Sequence, residues 1–167
     1  MREIQLTKSG RVALIDDVDY ESVSRFKWSL FRPNLHLAYA QRIEKGKAIL
    51  LHRVIMNAPD GVLVDHRDSN GLNNQRHNLR LCSPTQNACN KRKHIQRFSS
   101  RFKGVFWLPV YTSGTRKGRL HAKPWVAQIT YQHRTISRFF KTENEAAMAY
   151  DQLARTMHGE FARPNFI

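Results

Sequence analysis

The chain has 167 residues, a length that suits one domain or two small ones. Its 28 Lys and Arg residues against 13 Asp and Glu residues give a formal net charge of +15, which favours a polyanionic partner, above all nucleic acid. No stretch resembles a signal peptide or a membrane span, and Cys82 and Cys89 lack the paired spacing of a zinc knuckle. We therefore expect an intracellular, cytoplasmic protein with reduced cysteines and no membrane partner.

Residues 1–58 predict a small antiparallel platform of strands. The segments EIQL and RVALI flank a turn at residues 8–10, where glycine tolerates the positive φ of a tight turn. The segment DDVDYESVSRF suits a short helix that starts at Asp16 or Asp17. HLAYAQRI and KAILLHRVI flank a second turn at residues 44–47, although LLHRVIM could equally begin a helix.

Residues 59–94 predict two strands and a helix around a polar loop. The apolar run VLVDH ends on Asp65 and His66 and is followed by the turn-rich RDSNGLNNQRH. The second strand, NLRLC, opens at Asn78. The sequence SPTQ is a capping box, so a helix starts at about Pro84 and carries Asn87 in its first turn.

These polar residues can supply what phosphodiester hydrolysis requires, namely a base, a cation site and a group that orients the base. His66 is the natural base, because an imidazole accepts a proton near neutrality. Asp65 and Asn87 offer oxygen ligands for Mg²⁺ or Mn²⁺, and the amide of Asn78 could fix the imidazole. Neighbouring strand residues point to opposite faces, so Asp65 and His66 can serve one site only at a strand end.

The stretch VDHRDSNGLNNQRHNLRLCSPTQN resembles the HNH endonucleases, in the phage and intron-associated branch whose last metal-binding histidine is replaced by asparagine. The resemblance puts Asp65 and Asn87 at the metal, His66 as general base and Asn78 as the residue that orients it. The spacing fits that branch, with twelve residues from His66 to Asn78 and nine more to Asn87.

Other polar residues of this region have ordinary alternatives to a functional role. Turn formation explains the asparagines of the loop, which are Asn70, Asn73 and Asn74. His77 is a rival base or a phosphate contact, and His52 is an accessory residue in the core or at a phosphate. Arg67, Arg76 and Arg80 are phosphate clamps or merely solvated.

Residues 91–98 predict a basic linker, and residues 99–167 predict a second domain of three strands and one helix. Its strand segments are FKGVFWL, PWVAQITY and RTISRFF, and its helix is TENEAAMAYDQLARTMHG, capped by Thr142 and ended by Gly159. The segments KGV, WVAQI and NEAAMAYD, with the final Asn165 and Phe166, resemble the APETALA2-type DNA-binding domain. That resemblance implies that the three-stranded sheet lies in the DNA major groove while the helix backs it.

The resemblance places several side chains at DNA. The aligned contact positions are Lys103, Thr130, Arg134 and Ile136. Lys91, Arg92, Lys93, Arg101 and Arg138 complete the predicted basic surface. Two departures prevent a transfer of base specificity: residues 108–124 lengthen the first hairpin, and Arg138 stands where the family has glycine.

Together these features predict an α+β protein with an HNH ββα-metal module at residues 1–90 and an APETALA2-type module at residues 99–167. We expect a site-specific, homing-type endonuclease of a phage or mobile element that cuts double-stranded DNA with one divalent metal. A monomer would nick one strand, and cutting both strands would need a dimer or two encounters. The main alternative is a non-catalytic DNA-binding regulator with a degenerate HNH module; a zinc-stabilised nucleic-acid module is disfavoured by the missing paired CxxC motifs.

Overall fold

A computed structural model describes residues 1–91, 99–112 and 114–166. The chain separates into two compact units, Met1–Ala88 and Cys89–Ile167, and its secondary structure is of the mixed α+β kind. Arg92 and Lys93, predicted to contact DNA, lie outside the described residues.

A five-stranded sheet forms the body of the first unit. Its strands are β1 (Arg2–Thr7), β2 (Arg11–Ile15), β3 (Trp28–Asn34), β4 (Leu37–Glu44) and β5 (Lys47–Leu50), in the order β2-β1-β3-β4-β5. Both predicted hairpins are present. The sheet is mixed, not wholly antiparallel as predicted, because β3 runs parallel to β1 after the chain crosses over through helix α1 (Asp17–Ser24).

Strand β3 was not predicted from the sequence. It contains Arg32 and Pro33, its last four residues are exposed, and its pairing with β4 shifts register between Phe31 and Asn34. Its buried first residue, Trp28, anchors it, because the indole nitrogen donates to the main-chain oxygen of Val23 at 2.8 Å.

The sequence left open whether LLHRVIM continues a strand or begins a helix. In the structure, strand β5 ends at Leu50 and the short helix α2 (Leu51–Ile55) follows it.

A hairpin and a helix follow, in the predicted order. Strand β6 (Leu63–His66) pairs antiparallel with β7 (Leu79–Cys82), and α3 (Pro84–Asn90) comes next. The capping box predicted for α3 is present. Ser83 Oγ accepts from the main-chain nitrogen of Gln86 at 3.2 Å, and Oε1 of Gln86 accepts from the main-chain nitrogen of Ser83 at 2.8 Å. His66 is the last residue of β6, directly before the loop of residues 67–78.

The second unit is a three-stranded antiparallel sheet with one helix packed on it. The elements are β8 (Val105–Trp107), β9 (Trp125–Tyr131), β10 (Arg134–Phe140) and α4 (Glu143–His158), with sheet order β10-β9-β8. The helix begins at the predicted capping box of Thr142 and Glu145. Gly104 allows close packing, because a Cβ there would lie 2.0 Å from the Tyr150 ring. Among the described residues, no helix has the length and apolar character to cross a bilayer.

Candidate active site

The imidazole of His66 is buried and its hydrogen-bonding pattern fixes its tautomer. Its Nε2 lies 3.2 Å from Oδ1 of Asn74, while Nδ2 of Asn74 donates to the main-chain oxygen of Leu72 at 3.2 Å. A carbonyl oxygen only accepts, so the amide nitrogen of Asn74 must face Leu72 and the amide oxygen must face His66. Nε2 of neutral His66 therefore carries the hydrogen, and Nδ1 is the basic nitrogen.

Asn74 is fully buried and is held in place by the neighbouring sheet. Its main-chain nitrogen donates to the Leu14 oxygen at 2.8 Å, and the Leu14 nitrogen donates to the Leu72 oxygen at 2.8 Å. Residues 72–74 thus form a short ladder with β2, so the Asn74 amide is positioned by main-chain hydrogen bonds as well as by its own.

Asn78, predicted to orient the imidazole, is engaged with the loop instead. Its Nδ2 donates to Oδ1 of Asp68 at 3.0 Å and to the main-chain oxygen of Asn73 at 2.8 Å, and its Oδ1 accepts from the Asp68 main-chain nitrogen at 3.1 Å. Both amide hydrogens are consequently used within residues 67–78. Asn78 braces the loop that carries Asn74, so its connection to the His66 imidazole runs through the loop.

The rings of Tyr39, His52 and His66 form a cluster of three. The ring centroid of His66 lies 5.0 Å from that of His52, with the planes at 85°, and 5.9 Å from that of Tyr39; the Tyr39 and His52 rings are 5.4 Å apart. Gly71 lets the loop approach this cluster, since a Cβ at that position would lie 2.5 Å from a Tyr39 ring carbon and 2.3 Å from the Ala38 oxygen. The cluster limits the orientations open to the candidate base.

Burial keeps both histidines of this cluster neutral. Desolvation, reinforced by the nearby His66 and Arg53, lowers the pKa of His52 to about 3. Its buried Nδ1 has no hydrogen-bond partner among the residues that the structure describes. Burial also lowers the pKa of His66, but the Asn74 hydrogen bond and the carboxylates of Asp68 and Asp65 oppose that effect. His66 is thus neutral, but its neighbours favour protonation of the ring, whereas those of His52 oppose it.

The neutral His52 predicts a specific pH dependence of stability. The unfolded chain protonates this side chain near pH 6.5, whereas the folded chain does so only near pH 3. The free energy of unfolding should therefore fall as pH drops below 6.5, by up to about 1.4 kcal/mol per pH unit from this group. Urea unfolding between pH 7 and pH 4 should show a shallower loss for His52→Phe, which keeps a ring but cannot titrate. The control His36→Phe, at an exposed position, should follow the wild type; equal slopes for all three proteins would contradict a neutral His52.

Asp65 lies beside a buried arginine. Nε and Nη2 of Arg80 both donate to Oδ2 of Asp65, at 2.9 and 2.6 Å, and each side chain is only 7% exposed. The two residues are directly opposite each other in the β6–β7 pairing. Arg80, predicted as a phosphate clamp, is thus committed to the carboxylate predicted as a metal ligand.

Asp65 and Asn87, the two residues predicted as metal ligands, carry oxygen donors that a cation could use. Asn87 is half-buried in the first turn of α3, and Asp65 contributes one carboxylate. Within the described residues no group of three or more His, Cys, Asp or Glu side chains is arranged to hold a metal ion. A carboxylate and an amide oxygen suit Mg²⁺ or Mn²⁺, which commonly take only one or two protein ligands and complete their shell with water and phosphate.

The other residues predicted near phosphate divide between committed and exposed side chains. Arg76 forms a bidentate pair with the buried Asp19, at 2.9 and 2.7 Å, and this hydrogen-bonded pairing raises the pKa of Arg76. Its main-chain nitrogen also donates to Asp16, so Arg76 ties the loop to the start of α1. Arg67 and His77 are exposed at the surface of the first unit.

In the second unit, Lys103 makes main-chain contacts. Its Nζ donates to the main-chain oxygens of Cys89 at 2.5 Å and Lys91 at 2.9 Å, and burial lowers its pKa. This ammonium group fastens the start of the unit. Lys91 and Arg101 have exposed side chains, and the Arg101 guanidinium lies over the Phe102 ring.

The predicted contact residues of β9 and β10 lie on two different faces of the sheet. Arg134, Ile136 and Arg138 are every second residue of β10. Ile136 packs into the core beneath α4, and Arg138 pairs with the buried Ala127. Because alternate strand residues share a face, both arginines are on the side of the sheet that α4 covers, with exposed ends. Thr130 occupies the opposite face, so the residues predicted to read DNA do not form one surface.

Contacts within the lengthened hairpin and with β10 hold its described part, residues 108–112 and 114–124. The Leu108 nitrogen donates to the Pro124 oxygen at 2.8 Å, which extends the β8–β9 pairing. The His121 ring stacks on that of Tyr111 at 3.7 Å and on that of Phe139 at 5.2 Å. The stack connects the hairpin to β10 on the face that carries Thr130.

Three features of the site were not predicted from the sequence: the role of Asn74, the presence of Tyr39 and the pairing of Arg80 with Asp65. Asn74 stands beside Asn73 in a stretch with ordinary turn composition, and only its pairing with β2 distinguishes the two. Tyr39 comes from a strand distant in sequence. The register of β6 and β7 would have placed Arg80 opposite Asp65, but a loop of twelve residues does not fix that register by turn type.

Comparison with known proteins gives one match of consequence. The chain is 33% identical over 164 residues to a protein named as an uncharacterized HNH endonuclease of Acanthamoeba polyphaga mimivirus, covering 95% of this chain and 76% of that protein. No protein-family model matches the chain, and no solved structure matches it. Because the similarity spans nearly the whole length and includes the stretch around Asp65, His66 and Asn87, the chain belongs to the HNH endonuclease family.

Proposed function

We propose that this chain is a metal-dependent, site-specific DNA endonuclease of the homing type in which His66 is the general base. The observation that carries the proposal is the hydrogen bond between Nε2 of His66 and Oδ1 of Asn74, in an amide whose orientation is fixed by Leu72. A base must present one defined nitrogen to its proton donor, and this bond leaves Nδ1 as the acceptor. The family membership supplies the reaction class.

The reaction is hydrolysis of a phosphodiester by water. Nδ1 of His66 takes the proton of the attacking water, and Asn74 holds the resulting imidazolium through Nε2. The nearby carboxylate of Asp68 favours the protonated form of His66 and so stabilises that positive charge. Asp65 and Asn87 would hold Mg²⁺ or Mn²⁺, which supplies charge neutralisation at the scissile phosphate and the leaving oxygen.

Target selection belongs to the second unit in this proposal. Residues 86–167 hold 15 basic and 4 acidic side chains, an excess of 11 of the total +15. The face opposite α4 offers exposed hydroxyl and amide groups at Gln128, Thr130, Thr135 and Ser137, which suit hydrogen bonds to phosphates or base edges. Exposed Arg67 is the candidate phosphate contact of the first unit. One site per chain favours nicking by a monomer, with a dimer required to cut both strands in one encounter.

A non-catalytic DNA-binding regulator is the second candidate function. It is favoured by the Asp65–Arg80 pair, because the guanidinium neutralises the carboxylate that is proposed to hold the metal. The two functions differ in whether binding is followed by metal-dependent cleavage.

Asp65→Asn tests the proposal. We expect wild-type protein to convert supercoiled plasmid to the open-circular form in Mg²⁺ or Mn²⁺ and to be inactive in EDTA. The variant, which loses the anionic ligand, should be at least about 100-fold slower. Asp60→Asn, an exposed turn carboxylate, is the matched control and should cleave like the wild type. Wild-type DNA binding without cleavage in either metal would favour the regulator.

A further inference from the structure

We propose that Arg80 makes cation binding at Asp65 dependent on DNA, so that the site is weak in the free protein and is completed by a substrate phosphate. This inference rests on the proposed function, since it takes Asp65 as a cation ligand. It concerns the order in which the parts of the site assemble, which neither the sequence nor the family membership indicates.

The pair itself is close to charge-neutral. Two nitrogens of Arg80 donate to the same carboxylate oxygen, at 2.9 and 2.6 Å, and both side chains are 7% exposed. A divalent cation bound to this carboxylate would share it with the positively charged guanidinium of Arg80. Water screens that repulsion poorly in a buried setting, whereas Asn87, the other donor, contributes only a dipole.

Arginine beside a ligand carboxylate has a second effect with the opposite sign. A hydrogen bond from a neighbouring residue holds a ligand in orientation and commonly improves affinity for the metal. Here the donor is a full positive charge, so repulsion of a doubly charged ion should outweigh the orienting effect. Removing only the charge of Arg80, while keeping an N–H donor, separates the two effects.

DNA brings the missing negative charge. A phosphate oxygen can enter the coordination shell of the cation while the phosphate charge offsets Arg80, and Mg²⁺ and Mn²⁺ readily share a shell between protein and phosphate. Binding of cation and DNA is then coupled, and each must strengthen the other by the same factor. We expect the free protein to hold little metal and its complex with DNA to bind the metal.

The experiment measures Mn²⁺ binding through the electron paramagnetic resonance signal of the unbound ion. The full-length chain, Arg80→Gln and Arg80→Lys are titrated first without DNA. The titrations are repeated in a His66→Ala background, which slows cleavage, both without and with a mixed-sequence DNA duplex. Near-ultraviolet circular dichroism checks that each variant is folded.

Without DNA, Arg80→Gln should bind Mn²⁺ at least about tenfold more tightly than the wild type, and Arg80→Lys should resemble the wild type. The duplex should tighten Mn²⁺ binding about tenfold or more with Arg80 present and by less in Arg80→Gln. Equal or weaker binding by Arg80→Gln would overturn the inference. Mn²⁺ binding that is unaffected by the duplex when Arg80 is present would also overturn the inference. This second outcome needs no Arg80 variant, so it tests the inference even if Arg80→Gln does not fold.

Asp65→Asn separates this inference from the proposed function. If Asp65→Asn abolishes Mn²⁺ binding while Arg80→Gln fails to strengthen it, only the role of Arg80 is refuted. If Asp65→Asn leaves Mn²⁺ binding unchanged with and without DNA, Asp65 is not a ligand, and the proposed site fails together with the inference.

Discussion

A His66→Ala variant is expected to cleave DNA about 100- to 10,000-fold more slowly than the wild type, the range over which a general base contributes. His66 is buried, its Nε2 is held by Asn74, and burial lowers its pKa, which favours the neutral imidazole with Nδ1 as its basic nitrogen. The measurement is a single-turnover cleavage rate in Mg²⁺ with protein in excess, which removes product release from the comparison.

The matched control for this prediction is His77→Ala. His77 is exposed, and its proximity to the motif in the sequence made it a rival base. It has no part in the cluster of Tyr39, His52 and His66, so its replacement should leave the single-turnover rate within about threefold of the wild type. A large loss from His77→Ala with a normal rate for His66→Ala would exchange the two assignments.

An Asn74→Ala variant is expected to lose about 10- to 100-fold in cleavage rate, a typical cost of removing a residue that orients a catalytic group. Without the Asn74 oxygen, Nε2 of His66 loses its partner and the imidazole can adopt the tautomer with the hydrogen on Nδ1, in which Nδ1 cannot accept the proton of the water. DNA affinity should be unchanged, because the Asn74 side chain is fully buried.

Asn74→Asp gives a signature that a purely structural role would not produce. A carboxylate at this position stabilises the imidazolium and raises the pKa of His66, so the rising limb of the pH–rate profile should move to higher pH. Asn73→Ala is the control, since the Asn73 amide donates to Asp68 at 2.8 Å and the bond to His66 is made by its neighbour. An unmoved profile in Asn74→Asp, with a wild-type rate in Asn74→Ala, would remove Asn74 from the mechanism.

Local signals in the sequence predicted much of the secondary structure. The α3 and α4 capping boxes, at Ser83 and Thr142, are side-chain interactions within four residues, so they can be read without knowledge of the fold. The two hairpins of the first sheet follow from turn residues between alternating segments. Membership of the HNH family is likewise consistent with the short stretch around Asp65 and His66.

Features that depend on distant pairing were not predicted. Strand β3 exists because it lies between β1 and β4, and its own exposed, proline-containing end gives little sign of a strand. Asn74 and Asn78 carry the same amide, and only the ladder between residues 72–74 and β2 decides which one meets His66. The faces of Arg134 and Arg138 follow from the register of β9 and β10, which the resemblance to APETALA2-type domains did not supply; that resemblance stays a prediction.

Cleavage of supercoiled plasmid by wild type and His66→Ala, side by side in Mg²⁺ with a gel-shift assay of both, tests whether His66 is the general base of a metal-dependent nuclease. We expect open-circular product from the wild type, none when EDTA is present, and almost none from His66→Ala although it binds the plasmid as tightly. Equal cleavage by the two proteins would contradict His66 as the base, and binding by the wild type without metal-dependent cleavage would contradict the nuclease itself.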